Sequence, residues 1–315
     1  VLDEVRDGGR DGVRGGVRGG GLGGVLGAVR TRPQATAGVA LTLPVAVFFV
    51  VFWLVPFLSA IYLSFTDYEM AGTPNWIGLA NYERMFADPG FLNSAWITVV
   101  YTVCTVVPTI VLALLVAVPL SKPGRINRWL RALVMIPAVM PLAATSMVWV
   151  IIYSDRGLAN TLVGLVGIPP QSWLTSSDLA IWALVVMVVW KSMGLFVIIL
   201  TAGLQALPGE VYEAAAIDGS GAVTTFTRIT LPLLRRTLLF VLVISVAGSM
   251  QAFVPAFLLT GGGPADATQV LPYYIWANAF PYEHMGYAAA MGMVLLAAMV
   301  IVSALQFGFL KGGDE

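Results

Sequence analysis

Apolar residues gather in six runs, approximately 40–64, 96–119, 131–153, 179–203, 237–260 and 287–310, separated by polar connections. Each run reaches the ~20 residues that a helix needs to cross the hydrocarbon core of a bilayer. None alternates apolar and polar residues at period two, so a membrane barrel is not indicated. Interior prolines at Pro44, Pro56, Pro108, Pro137 and Pro141 are compatible with membrane helices, because neighbouring groups satisfy the freed carbonyls. The pattern predicts an all-α polytopic membrane protein with six spans.

Composition supports that class. Of 315 residues, 58% are apolar and 11% charged, with a mean hydropathy of +0.85, outside the range of soluble domains. The single cysteine, Cys104, leaves no intrachain disulfide and no Cys cluster. His284 is the single histidine and has no nearby carboxylate pair beyond the adjacent Glu283, so no metal site is expected. The net charge is zero, and the information lies in how the charges are distributed.

Residues 1–38 differ from the rest. Arg recurs about every fourth position among glycines, a pattern with no apolar face to bury. We read a disordered basic tail that helps set topology, in preference to a nucleic-acid or anionic-lipid arm or an over-extended translation start. The Ala35-Thr36-Ala37 triplet precedes the first apolar run rather than following it, unlike a cleavable signal. A short C-terminal tail, 313–315, follows the region 39–312 that holds the six runs.

Fourteen of the seventeen Lys and Arg fall on one side of the six-span scheme: Arg6, Arg10, Arg14, Arg18, Arg30, Arg32, Lys122, Arg125, Arg128, Arg131, Arg228, Arg235, Arg236 and Lys311. Arg84 and Arg156 lie opposite, among several carboxylates, and Lys191 lies within the fourth run. Basic connections stay cytoplasmic, which predicts cytoplasmic N- and C-termini and a cytoplasmic fourth connection.

That connection, about 204–236, contains EAAAIDGSGAVTTFTRITLP, Glu213 to Pro232. Pro208 suits a first helical turn, Glu210 and Glu213 suit the positive end of the helix dipole, and Gly219 suits a helix stop. Ser220 is a candidate cap for a second short segment, and Pro232 restarts the chain into the fifth run. Ala214, Ala215 and Ala216 offer a side-chain-poor surface for close packing. A long connection with helices of its own is usually functional; an amphipathic helix lying on the membrane is the plainer alternative.

The order Glu213-Ala214-Ala215, Asp218-Gly219, nine residues, then Ile229-Thr230-Leu231-Pro232 resembles the EAA signature of permease subunits in bacterial ABC importers. The flanks AGLQALPGEVYEAAAIDG, FLLTGGGP and MGYAAAMG resemble the carbohydrate-uptake branch, and the resemblance covers about 40–310. It implies the type I ABC importer permease fold, with six transmembrane helices and a cytoplasmic coupling helix. It further implies a second permease subunit, two ABC ATPase subunits beneath the pair and an extracellular solute-binding protein. Glu213, Ala214, Ala215, Asp218, Gly219, Ile229, Leu231 and Pro232 would make the ATPase contact. No phosphate-binding GxxxxGK[ST] occurs in the sequence, so ATP and Mg are expected on the partner ATPase, with no cofactor and no enzymatic role in this chain.

A sugar pathway needs small or polar residues within apolar spans. Ser245, Gly248, Ser249 and Ala252 recur at helical spacing beside Gln251, although a stripe of small residues also suits close helix packing. Lys191 and Ser192 interrupt the fourth run. An intramembrane lysine is costly and marks a functional site by default, with snorkelling to the interface as the alternative. The resemblance puts Lys191, Ser192, Leu195, Ser245 and Ser249 at positions like ligand contacts of disaccharide permeases, but with fewer Asn and aromatic side chains. A permease for glycerol phosphate or another solute therefore stays open. An ion-coupled secondary transporter would show charges in several spans and internal repeats, neither of which is evident.

Overall fold

The computed structural model describes residues 33–311, with side chains from 41 to 308. The described residues form helices, plus one isolated antiparallel bridge between Thr66 and Trp76. Two compact units divide the chain between Phe57 and Leu58.

The first unit holds α1 (Pro33–Phe49), a π-helical turn at Val50–Leu54 and the start of α2 (Val55–Leu63). Pro56 explains the π turn. It has no N–H and its ring crowds the carbonyl four residues back. The ladder resets just before it, with the Val55 N–H reaching the Val50 carbonyl. Helix α1 begins inside the segment expected to be a disordered tail. The 1–38 boundary is therefore corrected: Pro33 suits a helix start and Gln34-Ala35-Thr36-Ala37 continues it. Residues 1–32 and the 313–315 tail lie outside the described residues.

The second unit contains α3 (Ala80–Ala87), α4 (Pro89–Leu120), α5 (Arg125–Val139), α6 (Leu142–Ile152), α7 (Leu158–Gly164) and α8 (Ala180–Gln205). Helices α9 (Gly209–Ile217), α10 (Ala222–Thr225), α11 (Leu231–Leu233), α12 (Arg235–Met250), α13 (Leu271–Ala279) and α14 (Met285–Lys311) follow. Helices α4 and α8 form the centre. One core cluster joins Tyr101, Leu184 and Met187 to Val270, and a second joins Ala113 and Ala117 to Val197, Leu200 and Val241.

Among the described residues, four helices are long and apolar enough to cross a membrane, and counting each of two bent pairs as one span gives six. The third and fifth spans are then the bent pairs. The third bends by 94° between α5 and α6. Pro141 forces Met140 into extended backbone and opens α6 as its N-cap. The fifth bends by 70°, the break falling at Leu234 between α11 and α12. Its helix ends at Met250 rather than near 260; a separate π turn, Ala256–Thr260, follows and stops at Gly261 with φ +60°.

Close backbone approaches hold these pieces. Gly194 of α8 lets α5 come so near that an added Cβ would meet the Val134 carbonyl oxygen at 2.1 Å. The N-terminal Leu271 N–H of α13, an orphan donor at a helix start, bonds the buried Thr98 hydroxyl of α4 at 2.7 Å. The Asp88 carboxylate caps α4 through the Gly90 N–H at 2.8 Å. It also accepts from the Tyr274 and Tyr287 hydroxyls, both at 2.7 Å, so one carboxylate ties together α4, α13 and α14. Partial burial would raise the Asp88 pKa, but the Tyr287 and Tyr274 hydroxyls and the Gly90 and Phe91 N–H groups outweigh it and hold the carboxyl below its ordinary value.

Candidate functional site: a polar cavity and a protruding helix

The eight residues singled out for a pathway line one cavity of about 330 Å³. Lys191, Ser192 and Leu195 come from α8, Ser245, Gly248 and Ser249 from α12, and Gln251 and Ala252 from the unwound stretch after it. Ala252 is off the helix, so the stripe does not end in regular helical spacing; the chain leaves α12 at Met250 yet keeps both following residues on the wall.

Lys191 is tied to a neighbouring helix. Its Nζ donates to the Ala138 carbonyl at 3.2 Å, in the last turn of α5, where the bend disrupts the helical ladder. The bend thus creates an acceptor and the lysine fills it, with its other ammonium hydrogens still able to donate. The Ser249 and Thr105 hydroxyls lie 3.0 Å apart, bridging α12 and α4.

Sequence reasoning overlooked the contribution of α4. Tyr101, Thr105 and Thr109 also line the cavity, and their spacing of four places them on one helical face, which was the available signal. It was hidden because single hydroxyls barely lower the hydropathy of a long apolar run. Tyr101 is fully buried and its hydroxyl has no hydrogen-bond partner among the described residues. Leaving such a group unpaired costs about 1–3 kcal/mol.

On the connection between α8 and α12, α9 ends in a left-handed turn. Gly219 has φ +70°; its N–H bonds Ala216 O at 3.2 Å and the Ser220 N–H bonds Ala215 O at 2.9 Å. This crossed pair is the Schellman stop. Pro208 is the N-cap rather than a first-turn residue. Glu213 sits at mid-helix, exposed, rather than at the helix start. Ala215 is buried, so the three alanines do not share one open face; Glu213, Ala214, Ala216 and Asp218 are exposed, as is Ile217 at 87%.

Ser220 does not cap the next segment. Gly221 takes the N-cap position without a side-chain bond, while the Ser220 hydroxyl accepts from Thr225 at 3.1 Å. Nor does Pro232 start the fifth span: it lies in α11, before the bend. Ile229 and Leu231 are half-buried and Pro232 exposed. The Tyr212 hydroxyl donates to Thr230 at 3.1 Å, tying α9 to the π segment Phe226–Thr230. The coupling-type residues and the cavity residues therefore form two groups, joined through α8 and α12.

His284 is not without an acidic neighbour: Glu69 Oε1 stands 3.8 Å from its Nδ1. Among the described residues no three His, Cys, Asp or Glu side chains converge as metal ligands.

Comparison with known proteins agrees with this architecture. The sequence model of one family, described as "Binding-protein-dependent transport system inner membrane component", matches residues 109–311. A "Probable ABC transporter permease protein YesP" of Bacillus subtilis (strain 168) is 32% identical over 88% of this chain and 91% of its own length. The "Arabinooligosaccharides transport system permease protein AraP" of the same organism is 32% identical, over 86% and 88%. An "sn-glycerol-3-phosphate transport system permease protein UgpA" of Brucella abortus biovar 1 (strain 9-941) is 32% identical, over 89% and 97%. In three dimensions a chain of a bacterial ABC transporter involved in the import of the acidic polysaccharide alginate superposes with a TM-score of 0.77 over 90% of this chain and 97% of that one, at 19% identity.

Proposed function

This chain belongs to the binding-protein-dependent transport system inner membrane components and is a permease subunit of an ABC importer, and from that premise we propose that its cavity conducts a carbohydrate. The observation that carries the reading is the convergence of Thr105, Thr109, Lys191, Ser192, Ser249 and Gln251 on one cavity whose remaining wall is mostly apolar or small. Hydroxyl, amide and ammonium groups suit a ligand rich in hydroxyls, and the volume suits a small saccharide. The relatives include an arabinooligosaccharide permease, which supports the same class.

The pathway is completed by a second permease subunit, and two ABC ATPases bind on the basic side against α9. The exposed Glu213, Ala214, Ala216 and Ile217 surface, held rigid by the Gly219 turn, is the coupling contact. Closure of the ATPase dimer on ATP and Mg moves α9 and thereby biases the two access states of the cavity. A solute-binding protein delivers ligand on the opposite face, and both chain termini are cytoplasmic in the cell membrane.

Deleting this subunit and growing the cells on single carbon sources tests the substrate class. Loss of growth confined to one or a few saccharides is expected. Loss confined to glycerol 3-phosphate would replace the sugar reading with the second one, which the 32% identity to a glycerol-phosphate permease favours and for which Lys191 supplies a cation.

A further inference from the structure

Three cations stand together where α4 gives way to α5. Lys122, Arg125 and Arg128 are exposed, and among the described residues no carboxylate forms an ion pair with any of them. The surrounding sequence supplies none: no Asp or Glu occurs between Asp88 and Asp155. Arg131, the fourth cation of this connection, is half-buried and its Nε donates to the Asn127 carbonyl at 3.2 Å. The other three make the exposed patch.

Their level along the spans is fixed by bonds to α8. Gln205, the last residue of that apolar helix, donates from Nε2 to the Ser121 carbonyl at 2.9 Å. Further back along α8, Gly194 lies against Val134 and Lys191 bonds Ala138, so α5 runs from the basic-side end of α8 toward its middle. The Asn127 side-chain amide donates to the Lys122 carbonyl at 2.9 Å and holds the intervening turn. From this level an apolar stripe leads away along α5. Ile126, Trp129, Leu133 and Ile136 recur at spacings of three and four, on one helical face, and all are exposed, Ile126 and Trp129 by 75% and 77%. The cations thus stand at the end of an apolar face that follows a membrane-crossing helix inward, with a tryptophan at the junction, the side chain that favours the headgroup level.

We propose that Lys122, Arg125 and Arg128, with Trp129, bind the headgroup of an anionic phospholipid whose acyl chains lie along the apolar stripe. A phosphodiester offers two oxygens to the parallel N–H groups of a guanidinium, and the long stems of Lys and Arg lie on apolar surface while their heads reach the phosphate level. A zwitterionic headgroup brings an ammonium that the patch repels. A soluble partner could match the charges but could not follow the stripe into hydrocarbon, whereas one anionic lipid matches both. The site is independent of which solute the cavity conducts.

The importer is purified through a tag on this subunit with its partner chains bound and exchanged into detergent containing equal amounts of phosphatidylglycerol and phosphatidylcholine. Lipids retained on the intact complex are counted by mass spectrometry. The wild type is expected to retain phosphatidylglycerol in preference, less so as salt is raised. Each basic side chain near an anionic surface contributes about fivefold, so the triple change Lys122→Gln, Arg125→Gln and Arg128→Gln should weaken phosphatidylglycerol retention at least tenfold. Arg125→Lys with Arg128→Lys keeps the charge and should keep most of the preference. Equal retention of the two lipids by the wild type overturns the proposal, as does undiminished phosphatidylglycerol on the triple variant. Loss of a partner subunit from the triple variant on purification would make the patch a protein contact and also overturn it.

Discussion

Replacing Gly194 by alanine should damage this permease more than its single added methyl suggests. The new Cβ would stand 2.1 Å from the Val134 carbonyl oxygen, 3.1 Å from its carbonyl carbon and 3.3 Å from Met135 Cα. A carbon and a carbonyl oxygen rest at about 3.3–3.6 Å, so α5 must withdraw by roughly 1.2 Å or α8 must bend. Lys191, one turn earlier on α8, bonds Ala138 of α5 at 3.2 Å, already at the long end of hydrogen-bond geometry. Withdrawal of α5 stretches or breaks it. Overpacking costs about 1–3 kcal/mol, and losing a hydrogen bond to a charged group adds about 1.5–3 kcal/mol. Against this, alanine gains up to ~1 kcal/mol over glycine in a helix interior, leaving a net loss of about 1.5–6 kcal/mol. Gly248→Ala is the control, since a Cβ there meets nothing within 4 Å; it should match or exceed wild-type stability. Thermal unfolding of the purified importer in detergent, followed by fluorescence, compares the two variants. Equal midpoints for Gly194→Ala and wild type would refute the close approach of α5 to α8 and with it the account of how Lys191 is held.

The other expectations are independent of that contact. Ser249→Trp should block uptake in vesicles while leaving assembly and ATP binding intact; unchanged uptake would make the small residues of α12 a packing face. Gly219→Val strains a left-handed turn by about 1–2 kcal/mol and misdirects α9, so recovery of the ATPase with the tagged permease should fall, whereas full recovery with wild-type ATP hydrolysis would dissociate α9 from coupling. Asp88 has a lowered pKa when folded, so its contribution is present above the ordinary carboxylate value near pH 4 and is lost as pH falls further through the folded value. Asp88→Asn should therefore lower the unfolding midpoint at pH 7 and flatten its acid dependence below about pH 4, and an acid profile identical to wild type would show that another group controls it.

How much of this was legible in the sequence follows from the range of the interactions involved. The six apolar runs, the Gly219 stop and the Lys191 and Ser249 positions are local signals: burying apolar side chains in lipid and the φ freedom of glycine act on a residue and its near neighbours. What tertiary structure alone decided is where those runs break and what meets at the breaks. Pro141 was visible, but a proline in an apolar run is compatible with a nearly straight span or a sharp turn. The bend is 94°, and across it α5 packs on α8 at Gly194 while Lys191 donates to the Ala138 carbonyl. Similarly, Tyr101 and Thr105 read as ordinary members of an apolar run until α4 meets α12, across 144 residues of chain, at the Thr105–Ser249 contact. Ala215 looked equivalent to Ala214 and Ala216, and the burial that separates them depends on how the loop folds back through Tyr212 and Thr230. Hydropathy reports the solvent a segment prefers, whereas the partner that a particular side chain faces is set by contacts distant in sequence.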